Sequence, residues 1–229
     1  MIGGRSEARM ATNTGTTSAR EEVLHRIRVA KDGVADATSS QLGWNGIERR
    51  YQHQATRPRE AVLELLEDRL RDYDARVMRA AYHDVRAAAA KMLGDRGTRR
   101  IVVPPGLITD WMPSDIEAVL DEGLTATELD RLDGVMTGAT LAIAETGTLV
   151  LQNAAGQGRR VITLVPDYHL CVVRVADVVE TVPEAIEGLR MTAHLATTFV
   201  SGPSATADIE MTRIKGVHGP RFLDVILAG

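Results

Sequence analysis

The stretch GVMTGATLAIAETGTLVLQ (residues 134–152), followed by RVITLVP (160–166) and HLCVVRV (169–175), decides the fold class of this 229-residue chain. These runs are apolar and rich in small and β-branched residues, and they lack the strict alternation of a sheet with one wet face. Strands of that kind are buried on both sides and belong to parallel sheets covered by helices. The stretches TFVSGPS (198–204) and FLDVILA (222–228) read the same way. Upstream the rhythm alternates. Val62, Leu66, Leu70 and Tyr73 recur at helical steps from Arg59, with Glu64, Glu67, Asp68, Arg69 and Arg71 on the opposite face. ARVMRA (75–80) reads as a strand, and Val85, Ala89 and Met92 mark a helix that Gly94 is expected to end. IVVPP (101–105) reads as a buried strand stopped by its prolines. Capping boxes at Ser114/Glu117, Thr125/Glu128 and Thr181/Glu184 each announce a short helix. The expected architecture is α/β, a three-layer open sheet, mostly parallel, within residues 58–229.

Residues 1–17, rich in Gly, Thr and Ser, read as a disordered lead. Residues 18–57 read as an N-terminal helix and a connector packing on the domain. Ser18 and Glu21 cap the helix ahead of Val23, Ile27 and Ala30, and Gly33 to Gln54 is expected to be the connector.

Composition narrows the function. A net charge of -4 does not favour the basic face a polyanion needs, and only 3% of the residues are aromatic, which argues against a platform for stacked bases. No nucleic-acid partner is expected. The one cysteine, Cys171, can neither close an intrachain disulfide nor supply the thiolates of an iron–sulfur cluster. With no leader-like apolar segment and no membrane span, a cytoplasmic protein is expected.

Open α/β sheets bind ligands at the carboxyl ends of their strands, which draws attention to Gly-, Ser- and Thr-rich turns after apolar runs. Glu145, Thr146, Gly147 and Thr148 form one such turn. Ser201, Gly202 and Ser204 form a second, ahead of an expected helix over 205–214 that carries Thr206, Asp208 and Glu210. His218 and Gly219 form a third, before the last strand. Free N–H groups at the start of that helix, with the hydroxyls of Ser201, Ser204 and Thr206, would cradle an anion. Each turn also has a plain structural reading, with glycines as turn makers and Ser204 as an N-cap. Asp167 and His169 stand just before an apolar strand, so the candidates for acid–base chemistry are Glu145, His169, His218 and Asp208. His25, His53, His83 and His194 read as solvated or satisfied in the core. No paired-ligand spacing marks a metal site, so none is expected. Arg159, Arg160, Arg174, Arg213 and Arg221 are available to neutralise a carboxylate.

The runs GVMTGATLAIAETGTLVL, PDYHLCVVRV and SGPSATADIEMTRIKGVHGPRFLDVIL, together with IERRY (47–51) and the helix from Arg59, resemble the LUD domain, in particular the LutC/YkgG group of lactate utilization proteins. The resemblance spans about residues 45–229. It implies a fold similar to the NagB/RpiA/CoA-transferase-like superfamily. It also implies a non-cluster subunit that binds no cofactor itself and helps convert L-lactate to pyruvate with two iron–sulfur partner proteins, showing no turnover alone. The alternative is an independent enzyme on a phosphorylated or CoA-linked small molecule, using Glu145 as nucleophile or base and the 201–204 loop as anion cradle.

Overall fold

In the computed structural model, residues 18–30, 37–207, 213–216 and 218–229 are described. The chain divides into two units, residues 1–51 and 52–229. The first contains α1 (Ala19–Ala30) and α2 (Ala37–Asn45). Ser18 caps α1 as the sequence requires: its Oγ accepts from the Glu21 N–H at 3.3 Å, and its own N–H donates to the Glu21 carboxylate at 2.9 Å. Helix α2 replaces part of the expected connector. Its Leu42 and Trp44 are exposed, so no apolar stripe announced it.

The second unit runs α3 (Arg59–Asp72), β1 (Arg76–Ala80), α4 (Val85–Asp95), β2 (Arg100–Val103), β3 (Glu117–Leu120), α5 (Ala126–Leu129), β4 (Gly134–Gly138), β5 (Leu141–Ile143), β6 (Thr148–Gln152), β7 (Tyr168–Arg174), β8 (Val178–Val179), α6 (Val182–Gly188), β9 (Thr197–Ser201), β10 (Ala205–Ala207), β11 (Arg213–Lys215) and β12 (Phe222–Ala228). Six strands form one sheet in the order β1-β12-β7-β4-β2-β3, and every pairing in it is parallel. The strands β12 and β7 lie in register over their whole length, Phe222 opposite Tyr168 through Ala228 opposite Arg174. Side chains therefore alternate between two dry faces, which is why HLCVVRV shows no polar period. Cys171, Val173, Leu223, Val225 and Leu227 pack with Leu66 and Leu70 of α3. Leu170, Val172, Ile226 and Ala228 pack with Val85, Ala89 and Met92 of α4 on the other side. A second, four-stranded sheet (β8-β5-β6-β9) shares the α3 face through Ala142, Leu149 and Leu151. The α/β, three-layer, mostly parallel expectation holds.

Four local expectations are overturned. The Ser114/Glu117 box opens no helix: Glu117 begins the edge strand β3, where its backbone N–H bonds Arg99 and its carboxylate receives Arg100 Nε at 2.9 Å. Thr125 and Thr181 do form full capping boxes. Helix α4 runs through Gly94, and Gly97 takes the left-handed turn beyond it. RVITLVP is not a strand but a 3-10 turn at Arg160–Thr163. Both neighbours of β4 are already taken by β2 and β7, so Ile162 packs on the sheet face against Val102, Leu129 and Val135 instead. At the described ends of the helix expected over 205–214 stand instead the antiparallel strands β10 and β11, with Ala205 opposite Lys215.

Two buried carboxylates organise the second unit. Glu180 receives the backbone N–H groups of Thr56 (2.8 Å) and Arg57 (2.9 Å), the Gln52 amide (3.2 Å) and the Arg57 guanidinium (2.6 Å), and it clasps the extended segment 52–57. The backbone bond from Arg57 holds its carboxyl below the usual range. Asp224, fully buried in β12, receives Arg96 through Nη2 at 2.7 Å and Nε at 3.3 Å, and the Tyr168 hydroxyl at 3.1 Å. Among the described residues no helix is long and apolar enough to cross a membrane.

Candidate functional site

A cleft of about 230 Å³ opens where the two sheets meet, lined by Arg160, Thr163, His169, Phe199, the 200–204 turn, His218–Pro220 and Leu223. His169 and Leu223 are paired across β7 and β12 near the start of each strand, so the cleft lies at the amino ends of these strands. That corrects the expectation of a carboxyl-end site. The carboxyl ends of β2 and β3 border a different hollow of about 570 Å³, containing Gly106, Asp121 and Arg159.

The structure brings together the second and third candidate turns but only part of the first. Ser201, Gly202, Ser204, His218 and Gly219 line the cleft with His169. Ser204 is no N-cap: its Oγ accepts the His218 backbone N–H at 3.1 Å, which ties the 204 and 218 turns across the mouth, and among the described residues its own hydroxyl hydrogen has no acceptor. Thr148 lies opposite Ser201 in the β6/β9 pair, their hydroxyls 2.8 Å apart, and Thr146 adds a third hydroxyl at 2.7 Å from Thr148. Glu145 stands exposed in the turn between β5 and β6, its N–H on the Glu180 carbonyl, and it does not line the cleft. Thr206 lies in β10 opposite Ile214. Asp208 and Glu210 fall outside the described residues.

Gly147 and Gly202 have structural work of their own. Both have positive φ, 59° and 78°, and a side chain at Gly147 would meet Arg69 while one at Gly202 would meet Tyr73. Glycine lets both turns close against the last two turns of α3 and the residue after it.

The arginines separate by partner. Arg159 is bidentate on Asp121 at 2.7 and 2.6 Å, Arg174 binds Asp177 at 2.5 Å, and Arg221 is bidentate on Asp167. Only the backbone placement of Arg213, in β11, is described. Of the arginines whose side chains are described, Arg160 alone lines the cleft, and it has no carboxylate partner among the described residues. Its Nη1 reaches Thr163 Oγ1 at 2.8 Å and the Thr163 carbonyl at 3.3 Å, a contact that the 3-10 turn creates by placing residues three apart on one face. Packing around its head pushes the Arg160 pKa below the usual guanidinium value. A desolvated cation without a counter-charge attracts an anion. Among the described residues no Asp or Glu lines the cleft to oppose one.

His169 forms the cleft floor and is 2% exposed. Burial, reinforced by the Arg160 charge, pushes its pKa down to about 3, so the ring is neutral at physiological pH. Its Nε2 is 2.8 Å from Thr137 Oγ1 on the adjacent β4. Burial pushes the Cys171 thiol up to about 12, so this cysteine stays protonated and unreactive. Sequence reasoning named His169 but missed Thr137, because nothing in GVMTG separates that threonine from a core residue.

The LUD domain profile matches residues 19–228. The chain belongs to the LUD domain family. Among LUD relatives, lactate utilization protein C of Deinococcus radiodurans is 43% identical over 174 residues, covering 75% of this chain and 81% of that protein. Lactate utilization protein C of Bacillus pumilus is 27% identical over 234 residues, 90% of this chain and 95% of the relative. Escherichia coli YkgG is 28% identical over 149 residues, 58% of this chain and 64% of YkgG. A solved structure of a DUF162 family protein from Deinococcus radiodurans superposes with a TM-score of 0.67 at 39% identity, covering 76% of this chain and all of that one. The LUD match extends the resemblance seen in the sequence by some 25 residues toward the N-terminus, through α1 and α2.

Proposed function

We propose that this LUD protein acts in L-lactate utilization, as the non-cluster subunit of an assembly whose two iron–sulfur partners carry the electrons as lactate becomes pyruvate. The 43% identity to a protein named lactate utilization protein C, over most of both chains, carries this reading. The chain's chemistry agrees with a division of labour. Oxidation of a hydroxy acid releases two electrons and two protons, and a single buried thiol, held protonated, ligates no cluster. The subunit's own contribution is the Arg160 cleft, which takes a small anion on its guanidinium and the Ser204 hydroxyl. The alternative of independent turnover through Glu145 loses support from the placement of Glu145 outside that cleft.

The test is a pull-down of the tagged chain from its own cells grown on L-lactate, with the co-purified material assayed for iron, labile sulfide and lactate-dependent dye reduction. Co-purified iron–sulfur proteins with that activity, and none from the chain alone, are expected. A chain that comes down without partners, or that oxidises lactate by itself, would refute the subunit reading.

A further inference from the structure

The hydrogens behind His169 run in one direction. Cys171 Sγ is 3.7 Å from the Gly138 carbonyl oxygen, and Thr137 Oγ1 is 3.8 Å from Cys171 Sγ. A carbonyl only accepts, so the thiol hydrogen points to Gly138 and the sulfur is left to accept from the Thr137 hydroxyl. The threonine oxygen, having given its hydrogen to sulfur, accepts from the nitrogen 2.8 Å away, which is Nε2 of His169. A neutral imidazole carries one N–H, so Nδ1 is bare. Among the described residues Nδ1 has no partner, although the ring is nine-tenths buried and lines the cleft. His169 and Arg160 line the same cleft.

We infer that the cleft takes an anion bearing a hydroxyl next to its acid group, with the acid on Arg160 and the hydroxyl donating to Nδ1 of His169. This rests on the reading of the cleft as an anion site. A hydroxyl fills the acceptor at Nδ1. An oxo group sets two acceptors against each other, and a methylene leaves Nδ1 dry and unpaired. Leaving a buried polar atom unpaired corresponds to roughly 5- to 150-fold in affinity. His169 is thus the residue that reads the hydroxyl, while Thr137 and Cys171 are positioning residues that fix its tautomer from the same face of the sheet.

The experiment titrates the full chain calorimetrically with two matched sets of acids, L-lactate against pyruvate and propionate, and L-malate against succinate. The hydroxylated member of each set is expected to bind roughly 5- to 150-fold tighter than its analogues. Equal binding within both sets overturns the hydroxyl preference and leaves the anion site standing, whereas no binding by any acid removes both, independently of whether the pull-down recovers partners. Nitrogen-15 spectra of the His169 ring supply a second readout. They should show hydrogen on Nε2, and a hydrogen on Nδ1 would overturn the inference outright. Cys171→Ala replaces no lining residue but frees the Thr137 hydroxyl to turn toward Nε2, so the ring hydrogen should move to Nδ1 and the hydroxyl preference should collapse. Cys171→Ser restores the chain and should keep the preference. An unchanged tautomer and preference in Cys171→Ala would show that Thr137 and Cys171 do not set the ring. Arg160→Gln should weaken every acid alike.

Discussion

Replacing Asp224 by alanine should be among the most damaging single changes in the second unit. The carboxylate is fully buried and receives two bonds from Arg96 and one from Tyr168, with Arg76 at 3.8 Å. Arg96 cannot swing out to water, because its guanidinium is stacked 4.4 Å from the Phe222 ring centroid and 5.5 Å from that of Tyr168, and its side chain is only 20% exposed. The variant therefore traps an unpaired cation and strands a buried hydroxyl. Breaking a buried pair in this way costs about 3–5 kcal/mol. For a unit of this size each kcal/mol moves the melting temperature by roughly 2–4 °C, so a fall of about 6–20 °C is expected. Equilibrium urea unfolding followed by circular dichroism measures it directly, provided the slope with denaturant stays constant. The double variant Asp224→Ala with Arg96→Met removes the stranded cation and should recover part of the loss, a non-additivity that contact through one network demands. A single-variant loss below about 1 kcal/mol, or a double variant worse than the sum, would refute the network argument.

Three further outcomes are expected. Asp121 and Asp167 are held below the usual carboxylate range by Arg159 and Arg221, so their folded pKa values lie under the unfolded ones; the stability they contribute is present at neutral pH and is lost as pH falls through that lowered range. Asp121→Asn should flatten the melting temperature's dependence on pH between 5 and 3, and an unaltered slope would contradict this. Cys171, buried and pushed up to about 12, should resist a thiol reagent at pH 8 until urea unfolds the chain, with rapid labelling of the native protein as the contrary result. Gly202→Ala forces a side chain into the left-handed region against Tyr73, which costs about 1–3 kcal/mol and displaces a wall of the cleft; unchanged stability in thermal melts would show that the turn can open.

The sheet was legible because its signal is local and redundant. HLCVVRV and FLDVILA are dry on both faces wherever they sit, so composition alone marks them. The capping boxes show where local reading stops. Ser114/Glu117 and Thr125/Glu128 are the same signature, yet Arg100 and the free edge of β2 claim Glu117 for a strand, and no residue near Ser114 announces that competition. Arg159 and Arg160 are a sharper case. They are adjacent and chemically identical, and what separates them is Asp121, 38 residues away, which occupies one and leaves the other facing the cleft. The amino-end position of the cleft was hidden for the same reason, since it depends on a second sheet whose strand β9 meets β6 in an antiparallel pair.

The clasp at Glu180 bears on where this unit can be cut. Helix α3 begins at Arg59, and a shortened gene beginning there would keep every helix and strand of the sheet domain. It would also delete every donor that residues 52–57 bring to a side chain with no solvent exposure of its own, and Arg59 would be left holding the Val178 carbonyl as a frayed terminus. A start at Gln52 retains the whole set. The shortest span that keeps the clasp is thus set by six residues without regular secondary structure, and secondary structure alone would discard them.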